Sequence, residues 1–390
     1  MSAKRYLAPW GRSAAAWRAA VGGGGGALDV EALAALEGKA ALYHCVSRAV
    51  WREKVFGAAE KEKFVRVLRK WEAFSRVRVL TYCVMGNHFH VLVEVPERPA
   101  KDPSDEELLE HLGIIYGAKQ LAAIRWELEQ YRGQGSHAAA EALRQRFLRR
   151  MWNLSVFMKA VKQDFTVWWT RRQGKEGNLW QDKFKSVLVE EGHAARVVAG
   201  YIDLNPVRAG MVKEAAAYRW SGWGEACAGG RRAREGIRQV MLERELACSA
   251  PEVAVGVAGD VKRALAEYGA LLAEDAGRGG GVAGAHAADA GRWDVAGAVG
   301  GQVGARGGGR GGVEGSKHKD EGRLTEVELL RRRVRYFVDG LVIGSGGFVE
   351  AVFALSRGWF GAGRQSGARR LARAETALRS MRGLRVRLYG

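Results

Sequence analysis

The sequence predicts an α+β fold, an antiparallel sheet with helices packed on a face. Short stretches rich in Val, Leu and Tyr alternate in polarity, as half-buried strands do. Longer segments between them follow the helical period. The order of the two kinds (strand, helix, strand, strand, helices, strand, helix) suits antiparallel neighbours with helices layered on them.

Each element has a local reason. Residues 40–47 read as a first strand, and residues 58–73, rich in Lys, Glu and Arg, as a helix. Residues 76–84 and 87–95 read as the second and third strands, with Gly86-Asn87 as the turn between them. Pro96 and Pro99 end this segment. Helices follow over 105–173: one begins at Glu106, others span 118–131 and 137–151, and a longer one runs over 151–169 until Gly174 and Gly177 break it. A fourth strand is expected near 183–189, then a helix over 193–204 that stops before Pro206.

Composition divides the chain further. Residues 1–37 read as a flexible basic leader, 38–230 as the main domain with a helical insertion at about 101–150, and 231–275 as a helical extension. Residues 276–316, dominated by Gly, Ala, Arg and Val, read as a disordered linker. Residues 317–390 read as a small basic helical module, with helices over 328–338 and 346–355 and Gly344-Ser345 capping the second. A helix-turn-helix-like arrangement is expected there. The linker should decouple this tail mechanically, so deleting 316–390 should weaken nucleic-acid binding and leave the main domain intact.

The 390 residues hold 62 Lys and Arg against 43 Asp and Glu, a formal net charge of +19. Such a chain usually meets a polyanion, most often nucleic acid. A membrane surface or an Arg-rich compositional bias would give the same charge. Cys45, Cys83, Cys227 and Cys248 show no C-x-x-C spacing, which argues against a zinc knuckle and suits reduced thiols. The start lacks a signal-peptide core, and no apolar run reaches spanning length, so the expected location is the cytoplasm, in association with the nucleoid and with no membrane partner.

The chemistry concentrates in two places. On the third strand, His88 and His90 are two residues apart and share a face, while Phe89 points to the other. Paired imidazoles on a rigid strand form half of a metal site. Downstream, Tyr201 and Asn205 are spaced i, i+4 and share one helix face. A tyrosine hydroxyl is a competent nucleophile when its electrophile is activated, and a metal ion can polarise a phosphate. Asn205 offers a neutral oxygen as a third ligand. Read from these residues alone, the pair also suits a tyrosine packed in a helix interface and an asparagine closing a helix before proline.

His88-Phe89-His90 with its strand, and Tyr201-x-x-x-Asn205-Pro206-Val-Arg-Ala-Gly210, resemble the HUH-type single-tyrosine transposases, in the branch of REP-associated tyrosine transposases. Tyr43-His-Cys-Val-Ser-Arg48 is similar to that family's first strand, and Asn178-Leu-Trp-Gln-Asp-Lys-Phe-Lys185 to the segment before its tyrosine helix. The resemblance covers roughly residues 38–225. It implies a ferredoxin-like fold acting on single-stranded or hairpin DNA. It implies a divalent metal, Mg2+ or Mn2+, held by His88, His90 and Asn205. Tyr201 would attack a phosphodiester and stay linked to the DNA 5′ end, leaving a free 3′ hydroxyl, and strand transfer would reverse the step. A homodimer is the assembly in which Tyr201 could serve a partner's metal. Two departures stand out: the helical stretch over 101–150 is longer than the family's pattern, and Phe184 stands where many relatives carry a tyrosine.

Other residues have plainer readings. His44 reads as structural, and His193 as the polar start of the tyrosine helix. Lys183 and Lys185 share a face of the fourth strand and, with Arg208, are candidate phosphate contacts. A catalytically silent nucleic-acid-binding protein that kept the fold would share the charge, and a metal-dependent hydrolase would share the histidines. Only a covalent protein–DNA adduct separates strand transfer from both.

Overall fold

A computed structural model describes residues 40–50, 54–174, 177–242, 257–277, 330, 336–371 and 376–382. The expected leader and nearly all of the expected linker lie outside these residues. No helix among the described residues is long and apolar enough to cross a membrane.

The main sheet begins with β1 (Ala41–Arg48), β2 (Arg78–Val84), β3 (His88–Val95) and β4 (Lys185–Val189). β1 lies between β3 and β4 and is antiparallel to both, and β2 pairs antiparallel with β3. The hairpin turn is where Gly86-Asn87 predicts it, closed by Met85 N–H donating to the His88 carbonyl.

Both faces of the sheet carry helices, where the sequence led us to expect one. Phe89, Val91, Val93 and Val95 point to α1 (Ala58–Ser75) and α5 (Leu154–Gln173), packing with Phe64, Phe157 and Phe165. Leu92 and Leu42 belong to the opposite core, with α6 (His193–Asp203) and, further along the chain, α9 (Arg231–Met241) and α10 (Val257–Gly277). Apart from Arg48, Arg78 and Lys185 at strand ends, the residues of β1 to β4 are buried on both faces, not half-buried as their alternation suggests, because both faces are covered. At Gly236 on α9 a Cβ would collide with the Leu80 carbonyl, so glycine lets that helix lie against the backbone of β2.

Residues between β3 and α5 form α2 (Asp105–Leu112), α3 (Ala118–Gly133) and α4 (His137–Leu148). Ser104 caps α2 in a reciprocal capping box with Glu107. These helices bury their own cluster, including Leu108, Leu112, Leu128, Phe147 and Met151, against Phe74 at the end of α1. The long stretch of the sequence is thus a compact helical unit packed against the end of α1. α5 closes on Gly174, whose φ of 59° is the left-handed cap that glycine adopts without strain.

The C-terminal residues correct the sequence reading. After α7 (Asn205–Arg208), α8 (Gly222–Cys227), α9 and α10 come α11 (Tyr336–Asp339), β5 (Val342–Gly344), α12 (Gly346–Leu355), β6 (Arg369–Arg370) and β7 (Arg379–Met381). Ser345 caps α12 as the sequence predicts, accepting from Phe348 N–H. The expected separate helical module, however, is part of the main sheet. β5 pairs in parallel with β4, β7 with β5 and β6 with β7, giving one seven-stranded sheet in the order β2-β3-β1-β4-β5-β7-β6. Val342, Val349, Val352 and Met381 join the core on the α1–α5 face, and Phe337 and Ile343 join the other. The added strands are two or three residues long, too short to show a period, and β6 and β7 carry arginines.

One buried carboxylate ties the tyrosine helix to its surroundings. Asp203 is fully buried and accepts from Thr81 Oγ1 on β2 at 2.8 Å, Tyr268 Oη on α10 at 2.7 Å and Trp223 N–H on α8 at 3.0 Å. Burial pushes its pKa up to about 6 from 3.8. Replacing Asp203 with Ala would strand three buried donors, and a loss of about 3 kcal/mol or more is expected in chemical denaturation. The folded pKa lies above the unfolded one, so the carboxyl contributes its full stability below the unfolded value and loses it as pH rises through about 6. The gap between wild type and Asp203→Ala should therefore be wider at pH 4 than at pH 7. A gap that does not change between those pH values would show that Asp203 folds with an ordinary pKa.

Candidate active site

Four segments far apart in sequence meet on the α6 face of the sheet. His88 and His90 project there from β3, and Phe89 fills the opposite core, 4.5 Å from Phe64 ring to ring. Val46 of β1 pairs with His90, and His44, two residues earlier on the same strand, pairs with Leu92. Residues i and i+2 share a face, so His44 is a diagonal neighbour of His90. α6 lays Tyr201 across this cluster.

The ring centroids of His88 and His90 are 5.1 Å apart, those of His90 and Tyr201 6.1 Å, and those of His44 and Tyr201 6.2 Å. His88, His90 and Tyr201 are 9%, 4% and 3% exposed, which makes this a covered site. Its cover comes from the C-terminal residues. The Phe337 ring lies 4.8 Å from Tyr201, and Leu330 packs against α6 at Gly200. Burial drives the His90 pKa well below its usual value, helped by the charges of His88, His44, Arg208 and Arg48. His44 is pulled down to about 4, again chiefly by burial. Both rings are therefore neutral near pH 7.

Neutral imidazoles are the form that binds metal. His88 Nδ1 lies 2.6 Å from Asn87 Oδ1, and His90 Nδ1 lies 2.9 Å from His44 Nε2. Each ring thus has one nitrogen held by a polar neighbour, the usual arrangement behind a metal-ligating histidine. Asn205 Nδ2 donates to the carbonyls of Tyr201 and Ile202 at 3.2 Å each, and its Oδ1 takes no part in these bonds. Two imidazoles and an amide oxygen are a donor set that fits a divalent cation such as Mn2+.

The other candidates take different places. Arg208 turns inward: its guanidinium donates to the carbonyls of Leu330 and Tyr201 and lies 4.1 Å over the Tyr201 ring. Lys185 pairs with Asp339 of α11 at 2.6 Å, which fastens the C-terminal residues to β4. Lys183 is exposed and precedes β4, so the two lysines do not alternate along one strand. Its carbonyl accepts from the buried Lys162 ammonium. Phe184 is a core side chain, 5% exposed. His193 opens α6 at the surface. Sequence reasoning gave His44 no part in the site and did not foresee Phe337 or Leu330. The same-face spacing on β1 was a signal for His44, but it needed the strand register to be useful.

A buried histidine pair on a central strand, faced by a helix-borne tyrosine in an α+β sheet, is the frame that the sequence resemblance implies. Residues 39–104, the stretch that carries His88 and His90, match a family model described as IS200-like transposase. The match ends where the three-helix unit begins. Among solved structures, the chain is similar to one described as a REP-associated tyrosine transposase bound to a REP hairpin, at 16% identity and a TM-score of 0.31, covering 49% of this chain and 81% of that one. No curated protein matches the chain.

Proposed function

We propose that this protein cleaves single-stranded or hairpin DNA and transfers the strand through a covalent 5′-phosphotyrosine on Tyr201, with a divalent metal at His88, His90 and Asn205. The observation that carries this reading is the approach of Tyr201 to His90, ring centroids 6.1 Å apart, across a sheet–helix interface. The closeness within one chain supports a site whose two halves belong to the same subunit.

In the proposed step the Tyr201 oxygen forms a bond to phosphorus and gives up its proton. The bond from phosphorus to the 3′ oxygen breaks, and that oxygen leaves as a hydroxyl. In the reverse step a 3′ hydroxyl displaces the tyrosine. A metal bound here would polarise the phosphate and stabilise the leaving oxygen. The residues of the chain supply the rest. His88 and His90 are held in orientation by Asn87 and His44, and Asn205 closes the end of α6 while offering its amide oxygen. The Arg208 guanidinium, 4.1 Å over the Tyr201 ring, places a cation beside the proposed nucleophile. Arg208, Lys183 and Lys185 are proposed phosphate contacts; Arg208 and Lys185 would have to exchange their present partners to serve.

The deciding experiment incubates the full chain with labelled single-stranded DNA from the flanks of its own gene and looks for an adduct that survives denaturation. Silent binding and simple hydrolysis leave none. His88→Ala and His90→Ala should each lower metal-dependent cleavage by about 100-fold or more, since a direct ligand outweighs its supporting partners. Full cleavage in excess chelator would show that no metal takes part.

A further inference from the structure

Behind the histidine pair runs a short line of hydrogen bonds that ends in the C-terminal part of the chain. His44 Nδ1 lies 2.6 Å from the Phe337 carbonyl oxygen, and His44 Nε2 lies 2.9 Å from His90 Nδ1. A carbonyl oxygen only accepts, so the proton of this bond is on His44 Nδ1. A neutral imidazole has a single N–H, which leaves His44 Nε2 as a lone pair. The bond between the two histidines is then donated by His90 Nδ1–H, and His90 Nε2 carries the lone pair. The two ring centroids are 5.1 Å apart and their planes 21° from parallel, so the rings lie nearly coplanar and edge to edge, as the hydrogen bond between them requires.

We propose that His44 is a positioning residue for His90: anchored by the Phe337 carbonyl, it fixes the His90 tautomer whose Nε2 can bind a divalent cation. The proposal rests on the metal reading above. An imidazole in this place is not explained by packing. Its polar atoms cost free energy to bury unless both are bonded, and an aliphatic side chain would fill the space without that cost. Both nitrogens of His44 are bonded, and the partners lie on opposite sides of the ring, one a backbone group and one a proposed ligand. A buried polar chain that is satisfied at every link specifies one arrangement.

Two variants separate positioning from packing. His44→Leu keeps an apolar bulk and removes both bonds, whereas His44→Gln keeps an acceptor for His90. Mn2+ affinity of the full chain, titrated by calorimetry or electron paramagnetic resonance, should fall about 10- to 100-fold in His44→Leu. It should recover most of that loss in His44→Gln. Independently of any metal, 15N spectra of the metal-free wild type near pH 7 should show His90 protonated at Nδ1, and His44→Leu should show a mixture of tautomers. A wild-type His90 protonated at Nε2 overturns the proposal. So does a His44→Leu protein that binds Mn2+ as the wild type does while His90→Ala does not. If the wild type binds no Mn2+, the metal reading fails, and the tautomer spectrum alone decides the role of His44. Should His44→Leu fail to fold, the position of the His90 proton in the wild-type spectrum still decides between the two outcomes.

Discussion

Tyr201→Phe is expected to abolish covalent capture of DNA, lowering adduct formation by about 1,000-fold or more, because the nucleophilic oxygen is gone and no other group takes its place. Binding of the same DNA should change little. The Tyr201 ring is packed by Phe337, His44, His90 and the Arg208 guanidinium, and phenylalanine keeps every one of those ring contacts. Stability should move by no more than about 1 kcal/mol. The measurement is denaturing electrophoresis of labelled DNA after incubation, beside a binding titration at matched salt. An adduct of undiminished yield in the Phe variant would place the nucleophile elsewhere and leave Tyr201 a packing residue.

Removing everything after residue 329 is expected to cost the fold itself. Phe337, Val342, Ile343, Val349, Val352, Phe353, Leu355 and Met381 are all core side chains. Each contributes roughly 1.5–3 kcal/mol of burial. Their gross sum is on the order of the whole stability of a domain, about 5–15 kcal/mol. Truncation would also bare β4 along its pairing with β5 and uncover Val187 and Tyr201. The shortened chain should therefore aggregate or melt without a cooperative transition. A truncated protein that melts cooperatively within a few degrees of the full chain would show that the C-terminal strands are an ornament. This reverses the expectation drawn from composition, in which the tail was a decoupled module that only added phosphate contacts.

The reversal marks where local pattern stops being informative. β1, β2 and β3 are legible because each is seven or eight residues long and the hairpin turn lies beside the pair it joins. α12 is legible from Ser345 and the apolar run that follows. Nothing local announces that Val342 will lie beside Leu188, because parallel pairing is a long-range contact. The candidate site divides in the same way. Spacing puts His88 and His90 on one face, and Tyr201 and Asn205 on another element's face. The part played by His44 depends on which residue of β3 it lies against, and that register is written in neither strand alone. Lys185 and Arg208 have the charge of phosphate contacts, yet a lysine near a carboxylate and an arginine near a carbonyl are read only once the chain has folded back on itself.

The parallel pairing of β4 with β5 also orders events in time. A ribosome makes β4 long before it makes β5, so for much of synthesis β4 is an open edge with unpaired backbone groups. Open edges invite pairing with other chains, and nascent domains that wait for a distant partner are the ones that need protection from aggregation. During the same interval Phe337 is absent, so the Tyr201 ring lacks its cover and His44 lacks the carbonyl that orients it. A prematurely terminated chain would thus carry the histidine pair and the tyrosine without the frame that aligns them. For the proposed DNA cleavage, such a dependence makes the segment from Phe337 through β5 a checkpoint: only a chain translated past it assembles the site.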